Sequence, residues 1–283
     1  MADRGSFDKL DGASIASGIP TSLTYRPFPP VMKVYYQWNL AGLTTYYVCG
    51  ADQRDRLFAV KLHTGYSATG PLGARQGLHL HNGPTTTAPL LAAAGDDSLF
   101  RRSPNNNSRI FLPSPETGGL AEETMRAHVT PDKHVAFAFA IEVGVGGDVD
   151  RARFEWRNIE KSERDESTEN GGFKLFHMAP EREQSTSGGE SGGRGAATSS
   201  AVTAQDDAVV AALEWRRFLT SPKHPFDLRL VGDGVDGGFG NRWTLMVLTT
   251  ALRLWELHQR GKTQRAPVAM AGLVGPREKK LVR

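Results

Sequence analysis

The sequence predicts a mainly β (α+β) fold, a closed antiparallel β-barrel of about ten to twelve strands enclosing a hydrophobic C-terminal helix. Three observations predict it. Most of the chain between Tyr25 and Val231 alternates apolar and polar residues with period two, the signature of strands with one buried face. Gly, Pro, Asn and Asp punctuate these runs at short intervals, as in sandwiches and barrels. The stretch "NRWTLMVLTTALRLWELHQRG", Asn241 to Gly261, carries no charge between Trp243 and Leu252 and spreads its apolar residues around the whole helix circumference. Such a helix has to be surrounded on every side. It falls short of the roughly 18 apolar residues that cross a bilayer before Arg253 and Glu256 interrupt it, so protein has to do the surrounding.

The strands follow in order. "KVYYQW", "TTYYVC", "RLFAVKL", "GLHLH" and "SRIFLP" open the series. "HVAFAFAIEVG" puts Val135, Phe137, Phe139, Ile141 and Val143 on one face, with Ala136, Ala138, Ala140 and Glu142 on the other. "RARFEWRN" sets Ala152, Phe154 and Trp156 opposite Arg151, Arg153, Glu155 and Arg157. The Gly/Asp-rich link between the two runs predicts an antiparallel hairpin. "GFKLFHM", "AVVAALEW" and "PFDLRLV" complete the set. Phe137, Phe139, Phe154 and Trp156 are expected to point at Trp243, Leu245, Met246, Leu248, Leu252 and Trp255 of the helix. The alternative arrangement on pattern alone is a helix plugging one end of a sandwich.

Composition bounds the domain and its partners. The 283 residues carry a formal charge of +3, yet the last seven, "REKKLVR", hold four basic residues against one acidic. Without them the chain is balanced, which argues against a nucleic-acid partner. One cysteine, Cys49, suits a reducing compartment and excludes an internal disulfide. The expected organisation is a mobile N-terminal segment 1–22, a single barrel domain 23–261, and a basic tail 262–283. A Ser/Gly-rich insertion at about 181–207 lacks the apolar residues to offset its ordering entropy and is expected to be disordered. "PNNNS" at Pro104 to Ser108 reads as a polar turn. The expected location is cytoplasmic, peripheral to membrane at most, with no transmembrane span.

The collinear order "LHNGPTTTAPLLAAAG", "RIFLP", "EVGVGG", "FEWR", "GGFKL" and "DLRLVGDGVDGGFGNRWTLMVLTTALRLWEL" resembles the tubby C-terminal-like superfamily, in the form found among small fungal proteins. The resemblance spans roughly Tyr25 to Arg260. It implies a barrel threaded by the C-terminal helix. The superfamily includes tubby proteins, LURP-one-related proteins and phospholipid scramblases, so its fold alone does not assign an activity. Tubby proteins bind phosphoinositides through basic residues outside the barrel, and no residue-by-residue match to that site exists here.

Two residue sets carry candidate chemistry. Arg151, Arg153 and Arg157 project from one side of their strand, and Lys174 joins them where the strands pair. Such a face suits an anionic lipid headgroup. The expectation is therefore a non-catalytic module that needs no cofactor and binds a membrane lipid or a protein partner. The second set, His79 and His81 with His63 as a third candidate, matches the opening of a cupin metal motif, Gly73-x5-His79-x-His81. No carboxylate follows before Asp96, so the competing reading is a strand with Leu78 and Leu80 inward and the histidines in solvent. It leaves a metal-dependent barrel enzyme as the alternative function. "VGDGVDGGFG" lacks phosphate-loop spacing and reads as a tight turn before the helix, and Cys49 reads as a buried structural thiol.

Overall fold

A computed structural model describes residues 24–37, 45–99, 106–115, 118–145, 148–164, 168–179, 207–217, 221–264 and 268. The N-terminal segment to residue 22 lies outside them, as does the Ser/Gly-rich stretch apart from Asp207. The strands are β1 (Val31–Gln37), β2 (Thr45–Cys49), β3 (Arg56–His63), β4 (Gly77–His81), β5 (Leu90–Asp96), β6 (Ser108–Pro113), β7 (Leu120–Val129), β8 (Val135–Val145), β9 (Asp148–Asn158), β10 (Gly172–Met178), β11 (Ala208–Trp215) and β12 (Phe226–Leu230), followed by helix α1 (Gly240–Gln259). Each strand pairs antiparallel with its sequence neighbours, and β12 pairs with β1, closing the barrel. Closure removes sheet edges altogether.

Alternation decides which side chains face inward. In the β8–β9 hairpin Phe137 stands opposite Trp156 and Phe139 opposite Phe154, all four in the core, while Ala136, Ala138 and Ala140 face Arg157, Glu155 and Arg153 outside. The helix fills the lumen. Trp243, Leu245, Met246, Leu248, Leu252, Leu254 and Leu257 are buried, and Trp255 packs against the core from a half-buried position. Trp156 donates an indole hydrogen bond to Thr250 Oγ1 at 3.0 Å, and Thr250 in turn reaches the Met246 carbonyl at 2.8 Å, so a polar helix residue is satisfied inside the barrel. Phe154 and Trp243 meet at 5.8 Å between ring centroids. Burying one leucine of this kind contributes about 1.5–3 kcal/mol.

The helix enters at one mouth and leaves at the other. The entry mouth is the end of the β2–β3, β4–β5, β6–β7, β8–β9, β10–β11 and β12–α1 connections, the exit mouth that of the β3–β4, β5–β6, β7–β8, β9–β10 and β11–β12 connections. Glycine is required where the chain turns into the helix. Gly240 has φ +80°, and a Cβ there would lie 2.9 Å from the Gly144 carbonyl oxygen.

Each mouth is sealed by ion pairs. At entry, Arg242 holds Glu123 at 3.0 Å and Glu142 at 3.1 Å. At exit, Arg253, 0% exposed, meets Asp96 at 2.5 Å, pairs with Glu256, and donates to Ser108 Oγ at 2.9 Å. Arg260 joins Asp96 at 3.0 Å and Glu256 at 3.1 Å. Burial alone would raise the Asp96 carboxyl pKa, but Arg253, Arg260 and Lys262 outweigh it and hold it below the usual range. The chain past the helix stays on the barrel. Asn106, from the stretch read as a simple polar turn, donates to the Lys262 carbonyl at 3.2 Å, and Val268 belongs to the core. The packed body therefore extends beyond residue 261.

Candidate functional site

The arginine row is assembled on the outer wall, as alternation in β9 dictates, but two of its members are engaged by acids. Arg151 meets Glu123 at 2.7 Å and pairs with Glu142, the same carboxylates that hold Arg242, so it belongs to the entry seal. Arg157 meets Glu155 at 2.7 Å and Asp207 at 2.9 Å, with its guanidinium over the Phe176 ring. Burial pushes the Glu155 carboxyl up, yet hydrogen bonds from His128 and Arg157 outweigh it and the pKa falls below its ordinary value. Lys174 lies directly opposite Arg157 in the β9–β10 register. Arg153, Arg157 and Lys174 line a groove of about 760 Å³ that also holds Asp132, Glu155, Glu163 and Asp207, so its signs nearly balance. A second groove of about 610 Å³ lies over Ala138 and Ala140, with Arg126 of β7 across from Arg151 and Arg153. Arg126 was not singled out in the sequence because only the β7–β8 pairing brings it to this face.

The histidines are not in solvent. His79 and His81 are each 4% exposed; residues 64–76 fold back over the outside of the sheet beside His63 and His79 and bury Leu72 against Ala93 and Phe111, and the β4–β5 turn meets His81 through Ala88. His63 stacks on His79 with centroids 4.8 Å apart and donates from Nε2 to the Gly73 carbonyl at 2.8 Å, while His81 donates from Nδ1 to the Ala88 carbonyl at 2.8 Å. Among the described residues, Nε2 of His79 and of His81 has no hydrogen-bond partner. Burial, with lesser help from His63, His81 and Lys61, pushes the His79 pKa down to about 3, and burial lowers that of His81 too. Both rings are neutral at pH 7. Among the described residues, no group of three His, Cys, Asp or Glu side chains is arranged to hold a metal ion. Cys49 is buried, and burial raises its thiol pKa to about 11, which leaves it unreactive near neutrality.

The two mouths differ in charge. Among the described residues, the connections at the entry mouth carry Asp52, Asp55, Asp207, Asp233 and Asp236 against Arg26 and Arg54, and the seal formed by Arg151 and Arg242 with Glu123 and Glu142 is balanced. Among the described residues, the connections at the exit mouth carry Arg75, Lys133, Arg164, Arg216, Arg217, Lys223, Arg260 and Lys262 against Asp97, Asp132, Glu160, Glu163 and Glu169, while Asp96, Asp227 and Glu256 at the adjoining element ends pair with Arg260, Arg216 and Arg253 and offset most of that excess. The polarity follows the helix macrodipole, acids at its N-terminal end and bases at its C-terminal end. Exposed apolar side chains occur at both mouths, Val149 and Val235 at entry, Tyr66 (79% exposed) and Leu99 (56%) at exit. The charge of the connecting segments, not hydrophobicity, distinguishes the two ends.

Comparison with known proteins returns no matching family model, curated protein or solved structure. Among the described residues no helix is long and apolar enough to cross a membrane.

Proposed function

We propose that the chain is a non-catalytic intracellular module of the tubby-like kind that docks on an anionic membrane surface with the exit mouth of its barrel. The observation that carries this reading is the excess of basic residues on the exit-mouth connections against the acidic connections at entry. A basic residue near an anionic leaflet contributes about 1 kcal/mol, and an acidic mouth is repelled by the same field. The described chain finishes at the basic mouth, and the residues that follow in sequence add Arg277, Lys279, Lys280 and Arg283 against Glu278. Tyr66 and Leu99, on connections of neighbouring strand pairs at that end, supply apolar groups for the headgroup layer. The wall row Arg151, Arg153, Arg157 and Lys174 contributes less to this reading, because its acids offset much of its charge.

Vesicle sedimentation tests it. Vesicles containing phosphoinositide or phosphatidylserine should sediment the protein, neutral vesicles should not, and salt should weaken the binding because screening acts over about 10 Å at 0.1 M. Three variants separate the sources: truncation after Gly275, Lys223→Glu with Tyr66→Ser at the exit mouth, and Arg153→Ala with Lys174→Ala on the wall. Loss confined to the wall variant would move the site to the groove. Loss confined to the truncation would assign binding to the tail alone.

A further inference from the structure

A cleft of about 590 Å³ opens at the exit mouth between the β7–β8 turn, the β9–β10 connection and the end of α1. Its inner wall is apolar, built from the buried Val135, Ile159, Phe173 and Trp215. His258 stacks on Trp215 with centroids 4.8 Å apart and 21° between planes, and its ring is fixed by Nδ1 against Thr263 Oγ1 at 3.0 Å. The His258 side chain stays exposed at the mouth, while partial desolvation against Trp215 lowers its pKa, so its ring is available as an aromatic surface.

Two cations stand at the lip, each held in a way that keeps it available. Lys133 occupies the left-handed region, φ 70°, in the Thr130–His134 turn, a conformation that glycine or asparagine adopts at less cost. Arg164 donates to the Glu169 carbonyl at 3.3 Å and lies across Gly171, where a Cβ would come within 2.9 Å of its guanidinium. Neither has a carboxylate partner among the described residues, whereas Arg216, Arg217 and Arg260 at the same mouth all do. The acid that lines the cleft, Glu160, is 3.4 Å from His134. An apolar wall with a few convergent polar groups, in a volume of this size, is what small-molecule sites share.

We propose that this cleft binds a phosphate monoester of a molecule that also carries a planar ring, the ring lying against the Trp215–His258 wall and the phosphate between Lys133 and Arg164. A monoester dianion matches two cations that lack a carboxylate, and charge-assisted hydrogen bonds to phosphate are the strong ones. A flat ring matches the stacked wall, because offset stacking is the favoured contact between aromatic faces. This proposal stands on the cleft and not on membrane docking, so each can fail without the other.

Calorimetry without any membrane tests it, with adenosine monophosphate, adenosine and inorganic phosphate as separate probes. Adenosine monophosphate should bind at one site at least tenfold more tightly than either fragment. Lys133→Ala with Arg164→Ala, both exposed, should leave the melting temperature unchanged and weaken that binding at least tenfold. His258→Ala should weaken the nucleotide and leave inorganic phosphate as it was. No binding of the nucleotide, or equal binding by the double variant, overturns the proposal. Inorganic phosphate binding as tightly as the nucleotide overturns its ring component.

Discussion

At the scale of single residues, the side chains that matter most are buried polar groups whose partners lie far away in sequence. Arg253 is separated from Asp96 by more than half the chain, and nothing local in "RLWELHQ" announces that its guanidinium is enclosed. Replacing Arg253 by Ala removes one partner of a buried pair and leaves Asp96 to Arg260 and Lys262. The expected loss of stability is about 3–5 kcal/mol by urea unfolding, and a loss below 1 kcal/mol would mean that Arg260 alone compensates. The histidines give a pH dependence. His79 and His81 have folded pKa values below their ordinary value, so in that range the unfolded chain binds more protons and folding weakens as pH falls. For His79 the loss runs from about 6.5, the ordinary histidine value, down to about 3. His79→Leu should flatten the stability–pH curve between pH 6.5 and 4, and an unchanged slope would place the acid sensitivity elsewhere. The sequence suggested solvent for these rings because their burial depends on residues 64–76 folding back beside His79 and on the β4–β5 turn meeting His81, tertiary events with no periodic signal.

At the scale of elements, the legible parts are those with one wet face and one dry face. The inward and outward faces of the β8–β9 hairpin were readable because large inward side chains alternate with alanine, arginine and glutamate, but its bounds were not, since most of the "GVGGDVD" link belongs to the paired strands. Strands β5 and β7 were not among the ten runs read from sequence. In β5, "LLAAAGD" is buried on both faces, since the 64–76 segment covers the outside, so its alternation disappears. In β7, "LAEETMRAHV" has buried Glu123 and Met125 among exposed Glu122, Thr124 and Arg126, and an inward glutamate disguises the period. The helix was legible for the opposite reason, since an uncharged run with no polar stripe leaves only enclosure. Leu248→Asp should abolish folding into soluble protein, because an unpaired charge in the packed lumen costs several kcal/mol. Soluble protein with an unchanged melting temperature would contradict the enclosed helix. Gly172→Ala should also be costly. At φ +147° an added Cβ would overlap the Leu213 carbonyl of the paired strand, and the melting temperature should fall by several degrees.

At the scale of the whole molecule, closure of the sheet and occupation of its lumen leave outer walls and mouths as the surfaces for recognition. The arginine row and Glu155 within it were visible in the sequence, but its other counter-charges were not, because Glu123, Glu142 and Asp207 reach it only through the strand pairings and loops of the folded barrel. The polarity of the two mouths was likewise invisible, since it depends on which connections share an end. The most direct test of docking by the exit mouth is a depth measurement with spin labels on the protein bound to anionic vesicles. Cys49, the single cysteine, is buried with a raised thiol pKa, so labels attach selectively at Lys223→Cys or at Asp236→Cys. The label at residue 223 should be shielded from a water-soluble relaxation agent and reached by oxygen dissolved in the bilayer, while the label at 236 stays in water. Equal exposure of both labels to water on membrane-bound protein, or burial of 236 in place of 223, would contradict docking by the basic mouth.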